Sequence, residues 1–296
     1  MKNVSIFISL FVFSIIGFSF LSCDKIEKDD YLTYVKEGVE EVPEMIPSEN
    51  KVQKVLIEDF TGHTCPNCPY AAEIIHSIIE KNKNVIAIGI HNSENFSKPQ
   101  GAYTNNFQTT EGEKLREWFS PSGYPAGMIN RNESPNTSYL TWGAKTNEAA
   151  EATPLIYMTL KGSSFDTVTK EVSAKVSFDF PKGYVENLNL VLAITENKII
   201  GYQTKIEEGK NIHIPDYEHN HVLRQMPDGE WGVSLSFTEE DISTKSLRAL
   251  RKEFTLRDDA HLVWENCYLI AYFIKNNTEK REILQVDQIA LKDILK

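Results

Sequence analysis

The chain has 296 residues, of which 41% are hydrophobic and 25% charged, enough for two ordinary domains, and nothing in it is repetitive or of low complexity. Its formal net charge of -11 argues against nucleic acid and against electrostatic binding to anionic lipid.

Lys2 precedes an apolar run from Ile6 to Phe20 that ends in Leu21-Ser22-Cys23, the layout of an export signal closing on small residues. Leu21-Ser22-Cys23 resembles the lipobox of bacterial lipoproteins. That resemblance implies a signal peptide over residues 1–22, cleavage before Cys23, and acylation of its sulfur and of the new amino terminus. Each buried methylene of such chains adds roughly 0.8 kcal/mol, so the expected membrane association rests on the lipid anchor alone. An ordinary secreted protein or an uncleaved anchor helix is the alternative, although the run is short for a membrane span. Residues 23–51 read as a solvated tether that opens on Asp24-Lys25-Ile26-Glu27-Lys28-Asp29-Asp30. This acidic cluster resembles the surface-export signal of lipoproteins in one phylum of Gram-negative bacteria, and a plain linker is the other reading.

From Lys54 onward strand and helix patterns alternate. Strands are expected at Val55 to Phe60, Val85 to His91 and Ala126 to Asn130, and helices at Cys68 to Lys81, Glu111 to Phe119 and Tyr139 to Ala150. Such alternation predicts an α/β domain over residues 52–152. Ser93 to Thr110 is too long for an ordinary connection between a strand and its helix.

Cys65-Pro66-Asn67-Cys68 stands between the first strand and the first helix. A helix start favours a thiolate through its free N–H groups and the positive end of its dipole, so disulfide exchange is the leading chemistry. Cys65, expected to be the more exposed thiol, would attack a partner disulfide, and Cys68 would resolve the mixed disulfide. Pro66 would suit a first helical turn, where its missing N–H has no partner to lose. Asp59, if buried beneath Cys68, would have a raised pKa and take up its proton. A structural Cys65–Cys68 staple is the bland alternative. Zinc held by Cys65 and Cys68 with His63 or His76 is another, but no second CxxC or close pair of histidines accompanies them. We assign no metal and no cofactor, since neither a glycine-rich phosphate loop nor a His-rich metal helix is present.

These residues resemble the thioredoxin superfamily. Asp59-Phe60 precedes the CxxC at the spacing thioredoxins use for their buried aspartate, and Gly123-Tyr124-Pro125 falls where their cis-proline loop would lie. The resemblance implies a cis Pro125 facing the disulfide, with Tyr124, Pro66 and Asn67 meeting an extended peptide. The partners implied are extracytoplasmic protein thiols or disulfides. Departures are Thr64 in place of a tryptophan, Pro66-Asn67 between the cysteines, and no clear strand after Asn130.

After Pro154 the pattern changes to strict alternation. Val172, Ala174, Val176, Phe178 and Phe180 share one face, as do Leu188, Leu190, Leu192 and Ile194, and later Leu269, Ala271 and Phe273. This predicts an all-β sandwich of about seven or eight strands over residues 153–296. Cys267 belongs to one such face and is expected to be a buried, inert thiol. His219 and His221, at alternate positions of an extended segment near Asp216 and His213, would point the same way; a polar strand edge and a metal site are both open readings.

The lipobox, Leu56-Ile57-Glu58-Asp59-Phe60-Thr61-Gly62 before the CxxC, Gly123-Tyr124-Pro125 with Asn130-Arg131, and His219-Asn220-His221-Val222-Leu223-Arg224 together resemble the outer membrane protein 28 family of Gram-negative lipoproteins. That resemblance implies a thioredoxin-like domain, a β-domain and an outer-membrane address, facing periplasm or exterior, and it brings no assigned reaction. The two functional classes it leaves are a thiol-disulfide exchange protein and a binding or scaffold lipoprotein whose disulfide is structural.

Overall fold

The computed structural model describes residues 51–183, 187–235, 248–257, 262–276 and 280–294. The signal peptide, Cys23 and all of the tether but its last residue lie outside them.

β1 (Val55–Phe60) and β2 (Val85–Ile90) pair in parallel, from Val55 beside Val85 to Phe60 beside Ile90, with α1 (Cys68–Lys81) as the crossover. Every residue of both strands is buried, which accounts for their unbroken apolar runs. α2 (Thr110–Phe119) is capped by the Thr109 side chain, whose oxygen accepts from the Gly112 N–H. It leads to β3 (Ala126–Ile129), antiparallel to β1, and then to α3 (Trp142–Ala150). The Trp142 ring lies where a Cβ on Gly127 would stand, 2.4 Å from the nearest ring atom, so only glycine admits this contact.

Beyond α3, β4 (Tyr157–Phe165), β5 (Glu171–Asp179) and β11 (Arg248–Thr255) form a three-stranded antiparallel sheet in the order β11-β5-β4. β6 (Leu188–Glu196), β9 (Val222–Gln225), β12 (Cys267–Lys275) and β13 (Ile283–Ala290) join the first three strands in one sheet ordered β13-β12-β6-β9-β2-β1-β3, and β10 (Val233–Leu235) also pairs with β6. β7 (Ile199–Glu207) and β8 (Lys210–His219) pair only with each other. Pro215 within β8 suits a strand whose outer side is open.

The period-two pattern of the second half sorts its side chains between two cores. Val172, Ala174, Val176 and Phe178 meet Leu190, Leu192, Leu269 and Phe273 in a sandwich between the small sheet and the large one. Val191, Ala193, Ile270 and Tyr272 face the other way, into the core shared with Leu56, Phe60, Ile88 and Leu115. A third core places α1 and α3 over Val55, Ile57, Val85 and Ala87.

The sandwich expected after residue 153 is therefore there, but half of it belongs to a sheet that continues into the first half of the chain. The junction is parallel and narrow: Gly89 pairs with Val222, and the Gly89 N–H donates to the His221 carbonyl at 2.7 Å. Ten strands follow residue 153 among the described residues, more than the seven or eight expected, because the polar β7–β8 ribbon adds two that carry little apolar alternation.

Candidate functional site

β1 aims alternate residues at opposite faces of the large sheet, which separates two adjacent carboxylates. Glu58 points away from α1 into a buried fork with Arg131, at 2.7 Å from Nε to Oε2 and 2.6 Å from Nη2 to Oε1. The Arg131 guanidinium also donates to the Tyr272 hydroxyl at 3.4 Å and lies 5.0 Å from the Phe119 ring centre. Asn130 and Arg131 both have positive φ, 49° and 54°. The Asn130 side chain accepts from the Leu56 N–H and its carbonyl from the Ile283 N–H, so this pair ties β3 to both halves of the sheet.

Asp59 points the other way. It is 4% exposed, its Oδ1 has no hydrogen-bond partner, and burial pushes its carboxyl up to about 8. It lines a cavity of about 380 Å³ together with Cys68, Thr61, His91, Gln203 and His219.

Cys65 and Cys68 form a disulfide, with sulfurs 2.12 Å apart and Cα atoms 5.5 Å apart. Cys68 opens α1, and Cys65 precedes the helix with its N–H bonded to the Gly62 carbonyl. Pro66 lies in the turn before the helix, so the proline of the first helical turn is Pro69 instead. Cys65 is not the exposed thiol that its position at a helix cap suggested: it is 1% exposed and Cys68 2%. Two segments cover them. From the long 93–110 connection, the Phe96 carbonyl accepts from the Thr64 N–H at 3.1 Å and packs so tightly on Gly62 that a Cβ there would lie 2.5 Å from it. From the other side comes β7, whose Thr204 N–H donates to the His63 carbonyl at 2.8 Å and whose Ile206 N–H donates to the Pro66 carbonyl at 3.0 Å. Between the two cysteines, Pro66 is partly exposed and Asn67 exposed.

The Tyr124–Pro125 peptide bond is cis and Pro125 is buried immediately before β3, where Ala126 pairs with Phe60. Tyr124 meets the disulfide loop through Phe96, the two rings standing edge to face at 5.9 Å, and burial raises its hydroxyl pKa. Asp59 and Cys68 thus share a cavity wall, while Tyr124 approaches by way of Phe96.

Neither His91 nor the aromatic side chains of the long connection stand out in the sequence, where His63 reads only as a candidate zinc ligand. Phe107 stands 4.9 Å from both His91 and His219 and 5.9 Å from His63. Burial lowers the pKa of all three imidazoles, that of His219 to about 4, so they are neutral near pH 7. The signal that could have found them is the apolar–polar mixture of the long connection, which supplies Tyr103 and Phe107 as packing partners.

His219 and His221 do not continue one strand face. β8 ends at His219, and His221 has φ 59° in the turn before β9. His213 lies further back in the ribbon, its Nδ1 2.6 Å from the Tyr103 hydroxyl. Among the described residues no group of three His, Cys, Asp or Glu side chains is arranged to hold a metal ion. Cys267 is fully buried, and burial pushes its thiol well above the usual range.

Fold and site together define a β-rich protein with a helical flank and a covered CxxC disulfide at the head of its first helix. The chain belongs to the outer membrane protein Omp28 family, whose model matches residues 113–294. That match begins after the CxxC and takes in the Asn130–Arg131 pair and the His221 junction. Among solved structures the chain is similar to HBP35 of Porphyromonas gingivalis, at 17% identity and a TM-score of 0.62, covering 83% of this chain and 77% of that one. At that identity the likeness speaks for the fold alone. A domain of the outer membrane lipoprotein Omp28 from the same organism overlays on 47% of this chain and 90% of its own, at 14% identity and a TM-score of 0.28. No curated protein matches in sequence.

Proposed function

We propose that the protein is a lipid-anchored outer-membrane protein that exchanges disulfides with extracytoplasmic polypeptides through Cys65 and Cys68, in a thioredoxin-like setting. The observation that carries this reading is the cavity wall shared by Cys68 and Asp59, a carboxyl with an unpartnered oxygen and a pKa raised to about 8. In the reduced protein the Cys65 thiolate attacks one sulfur of a partner disulfide, forms a mixed disulfide and expels the other sulfur as a thiolate, which takes a proton from water. In molecules whose Asp59 carboxyl is ionised, a fraction that grows as pH rises toward 8, Cys68 then gives its proton to that carboxylate and attacks the Cys65 sulfur. The Cys65–Cys68 bond forms, the partner's second sulfur leaves, and the partner has gained two electrons. Pro125 and Tyr124 shape the approach to the loop, and Pro66 and Asn67 form its rim.

Reduction of insulin by the reduced protein tests this. Turnover is expected in the native chain and its loss in Cys65→Ser; insulin reduction that survives Cys65→Ser sinks the exchange reading. The acyl anchor has its own test. Cys23→Ser should move the chain from the membrane fraction to the soluble one, and unchanged fractionation refutes anchoring through Cys23.

A second reading, a binding or scaffold lipoprotein with a structural disulfide, is favoured by the burial of both cysteines to 1% and 2% exposure. The Cys65–Cys68 potential separates the two. A value below about -300 mV, the range of structural bridges, supports the scaffold, and one within the oxidoreductase range supports exchange.

A further inference from the structure

Both sulfurs are covered by polypeptide, and the manner of covering suggests what else fits there. β7 lies extended along the disulfide loop, and its contacts are those of a bound strand. The N–H groups of Thr204 and Ile206, alternate residues of one strand edge, donate to the carbonyls of His63 and Pro66. The Gln203 side-chain amide donates to the Cys65 carbonyl at 3.1 Å. Two of the three bonds run from backbone to backbone and so do not depend on the sequence of the covering strand; the third is supplied by the Gln203 side chain.

β7 and β8 belong to neither larger sheet, and a two-stranded ribbon is marginal without support. Side chains supply that support. On α1 the Tyr70 hydroxyl donates to the Ile206 carbonyl at 2.5 Å, and the Lys205 ammonium lies 2.8 Å from a Glu73 oxygen and 4.7 Å from the Tyr70 ring centre. On the long connection the Tyr103 hydroxyl bonds the Thr204 hydroxyl at 2.7 Å. Lifting the ribbon would break these contacts and the three loop bonds while leaving both larger sheets paired.

We propose that β7 is the resident occupant of a peptide-docking edge formed by the 62–66 carbonyls. An extended, cysteine-bearing segment of a partner polypeptide takes its place when the ribbon swings away. The segment carries a Lys or Arg beside its cysteine, because departure of Lys205 leaves Glu73 and the Tyr70 ring as a ready cation seat. This rests on the exchange reading and adds how a partner reaches a sulfur that solvent does not.

The test loosens the ribbon without touching the loop. In the full chain carrying Tyr70→Phe and Lys205→Ala, dithiothreitol should reduce the Cys65–Cys68 disulfide about tenfold faster than in the native chain, since a hydrogen bond and an ion pair are lost from the closed state. Amide hydrogen exchange at Thr204 and Ile206 should rise with it, while amides of β1 and β6 stay protected, which shows that the variant is folded. An unchanged reduction rate overturns the proposal, and so does faster amide exchange without faster reduction. The second arm uses Cys68→Ser and a lysine-flanked cysteine peptide activated as its thionitrobenzoate mixed disulfide. The Cys65 thiolate attacks the peptide sulfur, releases coloured thionitrobenzoate and leaves the peptide bonded to Cys65. The trapped complex should lose protection at Thr204 and Ile206, and retained protection there refutes replacement of β7 by the peptide. Failure of the exchange reading has a different signature: faster reduction by dithiothreitol in the loosened chain, with no peptide captured and no insulin reduced by either protein, which overturns peptide docking as well.

Discussion

Replacing Asp59 by Asn should change how stability depends on pH more than it changes stability at any one pH. In the folded chain burial pushes the carboxyl up to about 8, from its ordinary value of 3.8. Between those values the folded state holds a proton that the unfolded state has released, so stability is greatest below the lower value and is lost as pH rises toward the upper one. Each pH unit in that interval removes about 1.4 kcal/mol. The fall between about pH 5 and pH 8 is then on the order of 4 kcal/mol, and the curve levels off above pH 8. Because Asp59 is 4% exposed, solvent screening removes little of this. The Asn side chain brings its own constant offset, from its unpartnered amide, but no titration. Urea unfolding of the oxidised native and Asp59→Asn chains at pH steps from about 5 to 9 gives the difference curve, in which the histidines common to both cancel. The variant should gain steadily on the native chain up to about pH 8 and then run parallel to it. A difference that is flat across the range refutes both the raised pKa and the role of Asp59 as a proton acceptor beside Cys68.

Acid should act on the neighbouring imidazoles in the opposite sense. Burial lowers His219 to about 4 when folded, from its ordinary value of 6.5, so its contribution is complete above 6.5 and is lost as pH falls toward 4; His219→Gln should flatten that limb by about 3 kcal/mol in the same urea series. Glu58→Gln should destabilise by about 3–5 kcal/mol, because it leaves the Arg131 charge buried without its counter-ion, and a loss below about 1 kcal/mol would contradict the buried fork. Gly127→Ala should cost about 1–3 kcal/mol through collision with the Trp142 ring, read as a lower urea midpoint with an unchanged slope. Cys267 should stay unlabelled by maleimide in the folded chain and label on unfolding; rapid labelling in native buffer would show that its burial is wrong.

What the sequence disclosed was local. β1 and α1 have the limits their patterns suggested, Val55–Phe60 and Cys68–Lys81, because an apolar run closed by a turn and an amphipathic stretch closed by polar residues are decided within a few neighbours. The inward faces of β5, β6 and β12 were legible for the same reason, since a period of two is written in adjacent residues. Contacts between distant segments were not. Nothing around Gly89 announces that His221 will close its hydrogen bond, and the shared sheet depends on that meeting. β7 escaped notice because its burial pattern follows the loop it covers rather than a core, and the misplaced exposure of Cys65 followed from that omission. Pro69, not Pro66, enters the first turn because two prolines stand three residues apart at one helix start, and only the backbone decides between them.

The meeting of β2 and β9 also has a consequence for biogenesis. A chain made from its amino terminus completes β1, α1 and β2 long before Val222 exists, and β2 must wait with one edge unpaired. An open edge flanked by buried apolar residues is a template for pairing with the wrong strand. The slow step of maturation should therefore be the arrival of the carboxy-terminal strands, and premature truncation anywhere before β9 should yield aggregates instead of a smaller folded protein.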